Sequence, residues 1–129
     1  MKEKLLKLHE NSYSPYFKFP VSAIVVTKDE KEFSGVNVEN ANGTSICAER
    51  NAIANAVANG YKKGDFKEIN IMTSAEEIGT PCFACRQVIL EFFNKEDIVR
   101  CFSKTGKYTE FTVEELCPYP FDEEDLKWK

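Results

Sequence analysis

Residues 45–60, SICAERNAIANAVANG, decide the fold of this chain. The segment alternates small or apolar residues with asparagines, which could indicate a strand. Its alanine content and the closing Gly60 favour a helix instead. On helical spacing, Asn51, Asn55 and Asn59 share one face and the apolar residues share another. The apolar face comprises Ala52, Ile53, Ala56 and Val57.

The segments before this helix predict a β-hairpin. Residues 21–27, VSAIVVT, form a run rich in β-branched residues, which is typical of a buried strand. A polar turn separates them from a second strand near residues 32–38, so we expect the two strands to pair antiparallel. Residues 2–12 predict a short amphipathic helix, whereas the prolines and aromatics of residues 13–20 predict an ordered loop.

The segments after the central helix alternate strands with one more helix. We expect strands at residues 68–73, 98–102 and 108–113, a second central helix at residues 83–93, and a short acidic helical tail. The order ββαβαββ predicts an α/β fold, a three-layer α/β/α sandwich around a mixed five-stranded sheet. Because no repeat or linker interrupts the chain, we expect one domain over residues 1–129. The inner face of the second helix carries Val88, Ile89, Phe92 and Phe93.

Composition narrows the class of partner. The chain has a formal net charge of −4 and a pI of about 5.1, so we expect neither nucleic acid nor an anionic membrane as a partner. Its first residues are too charged for a signal peptide, and no stretch approaches the roughly 18 apolar residues of a membrane span. We expect a cytoplasmic protein whose five cysteines stay reduced and available for metal.

Two short cysteine motifs predict a metal site. In PCFACRQ, residues 81–87, Cys82 and Cys85 lie three positions apart at the start of a predicted helix. Cys47 opens the other central helix, and helix N-termini favour the thiolate form. The only histidine, His9, is far from both motifs, so Cys47 is the third ligand. Three thiolates and an open fourth position are typical of a catalytic zinc site, with one Zn²⁺ per chain.

Glu49 gives the predicted metal site a proton carrier. The order C-x-E and then P-C-x-x-C is the pattern of zinc deaminases, in which the glutamate is a proton shuttle and not a ligand. We therefore expect Glu49 to be the catalytic residue. The pair Cys82 and Cys85 alone would fit a redox or a structural site equally well. Cys101 and Cys117 are expected to be small core residues, and His9 a surface or packing residue.

Beyond the zinc motifs, the chain resembles the small, free-standing cytidine deaminases. The resemblance spans nearly the whole chain and includes YSPYFKFPV at 13–21, GVNVENA at 35–41 and EELCPYPFDEEDL at 114–126. It implies a hydrolase that acts on the C–N bond of a cyclic amidine and converts cytidine or 2′-deoxycytidine to the uridine product and ammonia, in pyrimidine salvage. It also implies a homotetramer with shared active sites.

The resemblance also implies roles for the remaining site residues. Asn37 and Glu39 would hydrogen-bond the 3′-hydroxyl of the sugar, and Phe19 would pack on the nucleoside. The backbone N–H of Ala48 would meet O2 of the pyrimidine. Taken alone, Asn37 and Glu39 would indicate only a turn at a strand end, and Phe19 only a core aromatic.

Two further implied roles concern the metal and the subunit contact. Arg50 would donate to a zinc-bound sulfur, which offsets the net charge of three thiolates on a divalent ion. Phe121 would reach the pocket of a neighbouring subunit. Three positions depart from the family pattern: Phe83 stands where glycine is usual, Ser22 replaces a common strand glycine, and the segment 40–46 is shorter and lacks a tyrosine.

Other activities remain open at this point. Deaminases of cytosine nucleoside antibiotics such as blasticidin S share the zinc motifs, although the N-V-E-N motif and Phe121 favour plain nucleosides. A deaminase of polynucleotides would need a cationic surface, which this chain lacks. A non-catalytic zinc-stabilised binding module would not need Glu49. A dithiol oxidoreductase would leave Cys47 unexplained.

Overall fold

A computed structural model describes residues 1–127, and its elements follow the predicted order. The helices are shorter than their sequence patterns by a few residues, and the second strand ends two residues early because Val38 forms only isolated bridges to Tyr13 and Ile46. The elements are α1 (Lys2–His9), β1 (Ser22–Thr27), β2 (Glu32–Val36), α2 (Ala48–Ala58), β3 (Phe66–Met72), α3 (Phe83–Phe92), β4 (Ile98–Phe102), β5 (Tyr108–Thr112), α4 (Val113–Leu116) and a final 3-10 helix (Glu123–Leu126).

The five strands form one mixed sheet in the order β2-β1-β3-β4-β5. Strand β1 pairs antiparallel with both β2 and β3, and β4 pairs antiparallel with β5. The pair β3–β4 is parallel, with α3 as its crossover connection. Every residue of β1 is buried, as its apolar run predicts. The predicted fold class is confirmed.

The sheet has a helical layer on each face. On one face, Leu5 of α1 packs against Ile24, Met72 and Phe102. On the other face, the main core lies between the sheet and helices α2 and α3. Val57, which the helical spacing predicts on the apolar face of α2, is 42% exposed. Val57 is one residue beyond the buried Ala56, a rotation of about 100° around the helix, which places its side chain at the margin of the core.

Helix α2 is fixed directly to the edge strand β2. A side chain at Gly35 would lie 2.4 Å from the backbone nitrogen of Ala52, so only glycine permits this approach. Asn51 Nδ2 donates to Val36 O at 2.7 Å, and Asn55 Nδ2 donates to Ser34 O at 3.3 Å. The asparagine face of α2 therefore satisfies carbonyls of the edge strand and fixes the start of α2 relative to the sheet.

None of the helices within the described residues has the length and apolar character that a membrane crossing requires.

Candidate metal centre and active site

Helices α2 and α3 both begin at a cysteine. Cys47 is the N-cap of α2, with φ −74° and ψ 152°, and Cys82 is the N-cap of α3, with φ −64° and ψ 163°. Neither side chain makes the capping hydrogen bond that Ser, Thr or Asp makes at this position, so both sulfurs remain available. The free amides and positive dipole end of each helix make both positions favourable for a negatively charged metal site.

The three cysteines of the two motifs come together in one cluster, as predicted. The sulfur atoms of Cys47, Cys82 and Cys85 all lie within 4.8 Å of one another. Tetrahedral zinc with bonds of about 2.3 Å places its sulfurs roughly 3.8 Å apart, so little adjustment is needed to hold that ion. Within residues 1–127, no other group of three or more His, Cys, Asp or Glu side chains converges in this way.

The charges of the cluster favour a bound cation. Hydrogen bonds from the thiols of Cys85 and Cys82, helped by Arg50, lower the pKa of Cys47. The contact with Cys47, together with burial, raises the pKa of Cys85. The cluster therefore loses its first proton readily and later ones only against the repulsion of like charges. A divalent cation removes that repulsion, and zinc favours thiolate ligands, so the donor set fits Zn²⁺.

The other cysteines and His9 lie outside the cluster. Cys101 is fully buried in β4, and burial raises its pKa to about 12. Cys117 packs against the core, and its thiol donates to Arg86 O at 3.7 Å. His9 Nε2 lies 3.0 Å from Met72 O at the end of α1. Each has the packing role that the sequence predicts.

Arg50 brings a positive charge to the cluster. Its Nη2 donates to Ser45 O at 3.1 Å, and its charge and a hydrogen bond contribute to the lowered pKa of Cys47. Among the described residues, Arg50 Nε is a buried nitrogen that has no hydrogen-bond acceptor. A free donor beside thiolates is consistent with the predicted role of Arg50, which stays a prediction.

Glu49 is the buried carboxylate beside the cluster. It is only 5% exposed and lines the same cavity as Cys47 and Cys82. Burial raises the pKa of Glu49 to about 6, and the nearby Cys47 adds to the effect. A carboxyl group with such a pKa can both accept and release a proton near neutral pH. The location of Glu49 suits the proton transfer that the sequence predicts.

A cavity of about 250 Å³ opens onto the metal cluster. This volume lies below the roughly 300–1,000 Å³ of sites for drug-sized ligands, so it suits a compact ligand. The cavity brings Phe19, Asn37 and Ala48 together with Glu49, although these residues come from three separate segments of the chain. Ala48 is the first residue of α2, where the N–H has no partner within the helix.

Several residues of this cavity were not predicted. Ile71 and Thr73 line it from the end of β3, and Thr80 and Pro81 line it beside Cys82. The alternation of side chains along β3 places Ile71 and Thr73 on one face, but the sequence does not indicate which face meets the cavity. The position of Thr80 next to the P-C-x-x-C motif was the available signal.

Asn37 shapes the loop that presents Phe19. Its Oδ1 accepts from the backbone N–H of Val21 at 2.9 Å and from the hydroxyl of Ser12. Its Nδ2 donates to Phe19 O at 2.9 Å. The side chain therefore holds both ends of this part of the loop while it lines the cavity. Its predicted contact with a sugar hydroxyl stays a prediction.

Glu39 holds the same loop through hydrogen bonds to residues that precede Phe19. Its carboxylate accepts from Ser14 Oγ at 2.8 Å, from the backbone N–H of Tyr16 at 2.8 Å and from that of Phe17 at 3.2 Å. Burial opposes ionisation, but these hydrogen bonds outweigh it and hold the pKa of Glu39 below its usual range. Glu39 is 5% exposed and is not among the residues that line the cavity, so its sugar contact also stays a prediction.

Comparison with known proteins agrees with this site. The family described as "Cytidine and deoxycytidylate deaminase zinc-binding region" matches residues 1–101, which include all three cysteines and Glu49. The chain belongs to this deaminase family. A cytidine deaminase of Sporosarcina psychrophila is 40% identical over 131 residues, covering 98% of this chain and 95% of the relative.

Two further deaminases bear on fold and substrate. The crystal structure of a cytidine deaminase from Burkholderia pseudomallei is 37% identical, with a TM-score of 0.88, and the match covers 92% of this chain and 94% of that one. A blasticidin-S deaminase of Bacillus cereus is 30% identical over 128 residues, covering 92% of this chain and 85% of the relative. The antibiotic-acting relative is thus the more distant one.

Phe121 lies outside the matched residues and away from the deaminase cavity of its own chain. It is 58% exposed and lines a second cavity with Phe83 and Arg86. Gln87 Nε2 donates to Phe121 O at 2.7 Å, which fixes the backbone of the tail on α3. The predicted contact of Phe121 with a neighbouring subunit stays a prediction.

The departures from the deaminase pattern have local explanations. The ring of Phe83 is 77% exposed and lies outside the cavity, so its bulk does not fill the site. Ser22 Oγ donates to Leu5 O at 2.8 Å and thereby links β1 to α1. In the shorter segment 40–46, the side chain of Asn40 bonds both the backbone and the hydroxyl of Thr44, which closes a tight turn.

Proposed function

We propose that this chain is a zinc-dependent cytidine deaminase, which hydrolyses cytidine and 2′-deoxycytidine to the uridine product and ammonia and so serves pyrimidine salvage. The observation that carries the proposal is the buried carboxylate of Glu49 in the same cavity as Cys47 and Cys82 of the three-sulfur cluster. The relatives named cytidine deaminase support the same conclusion.

Metal binding and proton transfer would be carried out by different residues of the site. Bound zinc would supply a Lewis acid that activates water for addition at C4 of the cytosine ring. The sulfurs of Cys47, Cys82 and Cys85 hold the ion and take no further part. Glu49 moves the protons: its carboxylate accepts one from the attacking water and delivers it to N3. It then takes the proton of the hydroxyl added at C4 and gives it to the amino nitrogen, so that the C4–N bond breaks, the C4 carbonyl forms and ammonia leaves.

The walls of the cavity orient the nucleoside. The backbone N–H of Ala48 points from the start of α2 and would donate to O2 of the ring. Phe19 would pack on the nucleoside, and its loop is held by Asn37 and Glu39. The same two side chains would contact the 3′-hydroxyl of the sugar. Free cytosine lacks the sugar hydroxyl, so it would make neither of these contacts and would bind more weakly than a nucleoside.

We further expect a single cytoplasmic domain over residues 1–129 that assembles as a homotetramer with shared active sites. Phe121, which the tail holds away from its own cavity, would complete the site of a neighbour. Sedimentation tests the assembly, and a fully active monomer would contradict it. Nucleic acid and membranes are not expected to bind.

Kinetics with three substrates test the function. The loss of absorbance of cytidine, 2′-deoxycytidine and blasticidin S is followed with the same enzyme, before and after treatment with a chelator. A cytidine deaminase prefers the two nucleosides, loses activity with the metal and regains it with Zn²⁺. Preference for blasticidin S would assign the antibiotic as substrate. Bound zinc without any turnover would indicate a non-catalytic binding module.

A further inference from the structure

Arg86 holds the cavity wall through a three-way set of hydrogen bonds. It follows the ligand Cys85 in α3 and does not line the cavity itself. Its Nε donates to Pro81 O at 2.7 Å, its Nη2 donates to Thr80 Oγ1 at 2.8 Å, and its Nη1 donates to Leu116 O at 2.9 Å. Every nitrogen of the guanidinium therefore has a protein acceptor.

Two of these acceptors belong to the segment that carries a metal ligand. Thr80, Pro81 and Cys82 all line the active-site cavity, and the side chain of Cys82 gives α3 no cap. The backbone N–H of Arg86 also donates to Cys82 O at 2.9 Å. Apart from the thiol contacts within the metal cluster, no other side chain of the described residues donates a hydrogen bond to this segment. Its position therefore depends on Arg86.

The third acceptor belongs to the C-terminal tail. Leu116 is buried at the end of α4, and its carbonyl is one of those that the helix leaves without a partner. The thiol of Cys117 donates back to Arg86 O, and Gln87 donates to Phe121 O. One turn of α3 thus joins the wall of the cavity to the tail that carries Phe121.

Phe83 limits the freedom of this arginine. The guanidinium carbon of Arg86 lies 4.5 Å from the centre of the Phe83 ring, in a cation–π contact. The planar fork of arginine suits several acceptors at fixed angles, which a lysine ammonium cannot reach together. The exposed ring of Phe83 therefore helps to hold the Arg86 guanidinium in place, which its position beside Cys82 in the sequence does not indicate.

We propose that Arg86 is a positioning residue, which fixes the Thr80–Cys82 wall and the Cys82 sulfur at the metal centre and ties both to the C-terminal tail. This inference rests on the proposed deaminase function. Partners that orient metal ligands in this way typically contribute 10- to 100-fold to metal affinity or activity.

Arg86→Lys tests the proposal, with Arg100→Lys as its matched control. Arg100 also bonds several partners, Glu68, Asn70 and Glu110, but it lies on the opposite face of the sheet. The absorption spectrum of the Co²⁺-substituted protein reports the geometry of the sulfur ligands without any need for turnover. We expect an altered spectrum and a kcat about 10- to 100-fold lower in Arg86→Lys, with a smaller change in KM, and neither effect in Arg100→Lys.

The outcomes separate the possibilities. An unchanged cobalt spectrum and unchanged kcat in soluble Arg86→Lys, or equal changes in both lysine variants, would overturn the proposal. If Arg86→Lys does not fold, Phe83→Leu decides, because it loosens the guanidinium at an exposed position. Its cobalt spectrum should differ from that of the wild type, and an unchanged spectrum would overturn the proposal. A wild-type protein without deaminase activity would refute the proposed function, while the cobalt spectra would still test the positioning.

Discussion

Cys47 and Cys82 hold the same structural position in two different helices. Each is an N-cap with an extended backbone, and each sends a sulfur into the same cluster. This arrangement gives the metal ligands rigid supports, because α2 is fixed to β2 by Asn51 and α3 crosses between two parallel strands. The cysteines and Glu49 are different side chains, so substitutions can test metal binding and proton transfer separately.

Glu49→Gln should abolish most turnover and keep the metal. The substitution preserves the shape of the side chain but removes the group that accepts and releases protons, which contributes about 10²- to 10⁴-fold to kcat. We expect wild-type zinc content by metal analysis and a Tm at least as high as that of the wild type, because a buried charge is removed. Substantial activity in the zinc-loaded variant would show that another group carries the protons.

Cys47→Ala should lose zinc, and Cys117→Ser should not. Removal of one of three ligands leaves two thiols for an ion that needs at least three protein ligands at a catalytic site. Metal analysis after dialysis should give near one zinc per chain for wild type and Cys117→Ser, and almost none for Cys47→Ala. Full zinc content in Cys47→Ala would place the ion on a different set of side chains.

The sequence predicted those parts of the structure that depend on local pattern. The apolar run of β1, the alanine-rich helix α2 and the cysteines at two helix starts are each visible within a short segment, and all are found in the structure. The exposure of Val57 was not predictable, because a helical pattern gives the direction of the buried face but not its width.

The sequence could not predict contacts that arise only when distant segments meet. Asn37 and Glu39 were expected to face a sugar, and they also hold the loop of Phe19 through hydrogen bonds to main-chain groups that no motif marks. Arg86 follows a ligand in sequence, but its partner Leu116 lies thirty positions away. Such contacts depend on the packing of α4 against α3, which periodicity does not determine.

Glu39→Gln should destabilise the protein in a manner that depends on pH. Hydrogen bonds from residues 14–17 outweigh burial and hold the pKa of Glu39 below the ordinary value of 4.5. This stabilisation is complete above that value and is lost as the pH falls through the native pKa, because the native carboxylate must then bind a proton. We expect a lower Tm for Glu39→Gln than for wild type near neutral pH, with both proteins metal-free, and a difference that shrinks below pH 4.5.

A matched control separates this effect from general loss of charge. Glu77→Gln removes a carboxylate from an exposed loop residue and should leave Tm unchanged at each pH. A difference between wild type and Glu39→Gln that stays constant across the acid range would contradict the assigned role of the Glu39 charge.

The proposed homotetramer with shared active sites predicts that two defective variants restore each other. Phe121→Ala keeps its own Glu49 but removes the aromatic side chain offered to a neighbour, so KM for cytidine should rise about ten-fold or more, whereas Tyr119→Ala should have little effect. Glu49→Gln supplies an intact Phe121 without turnover. When the two variants are produced together in one cell, some sites combine Glu49 of one chain with Phe121 of another, and activity with the wild-type KM should return. If the mixture is no more active than Phe121→Ala alone at low cytidine concentration, Phe121 serves only its own chain.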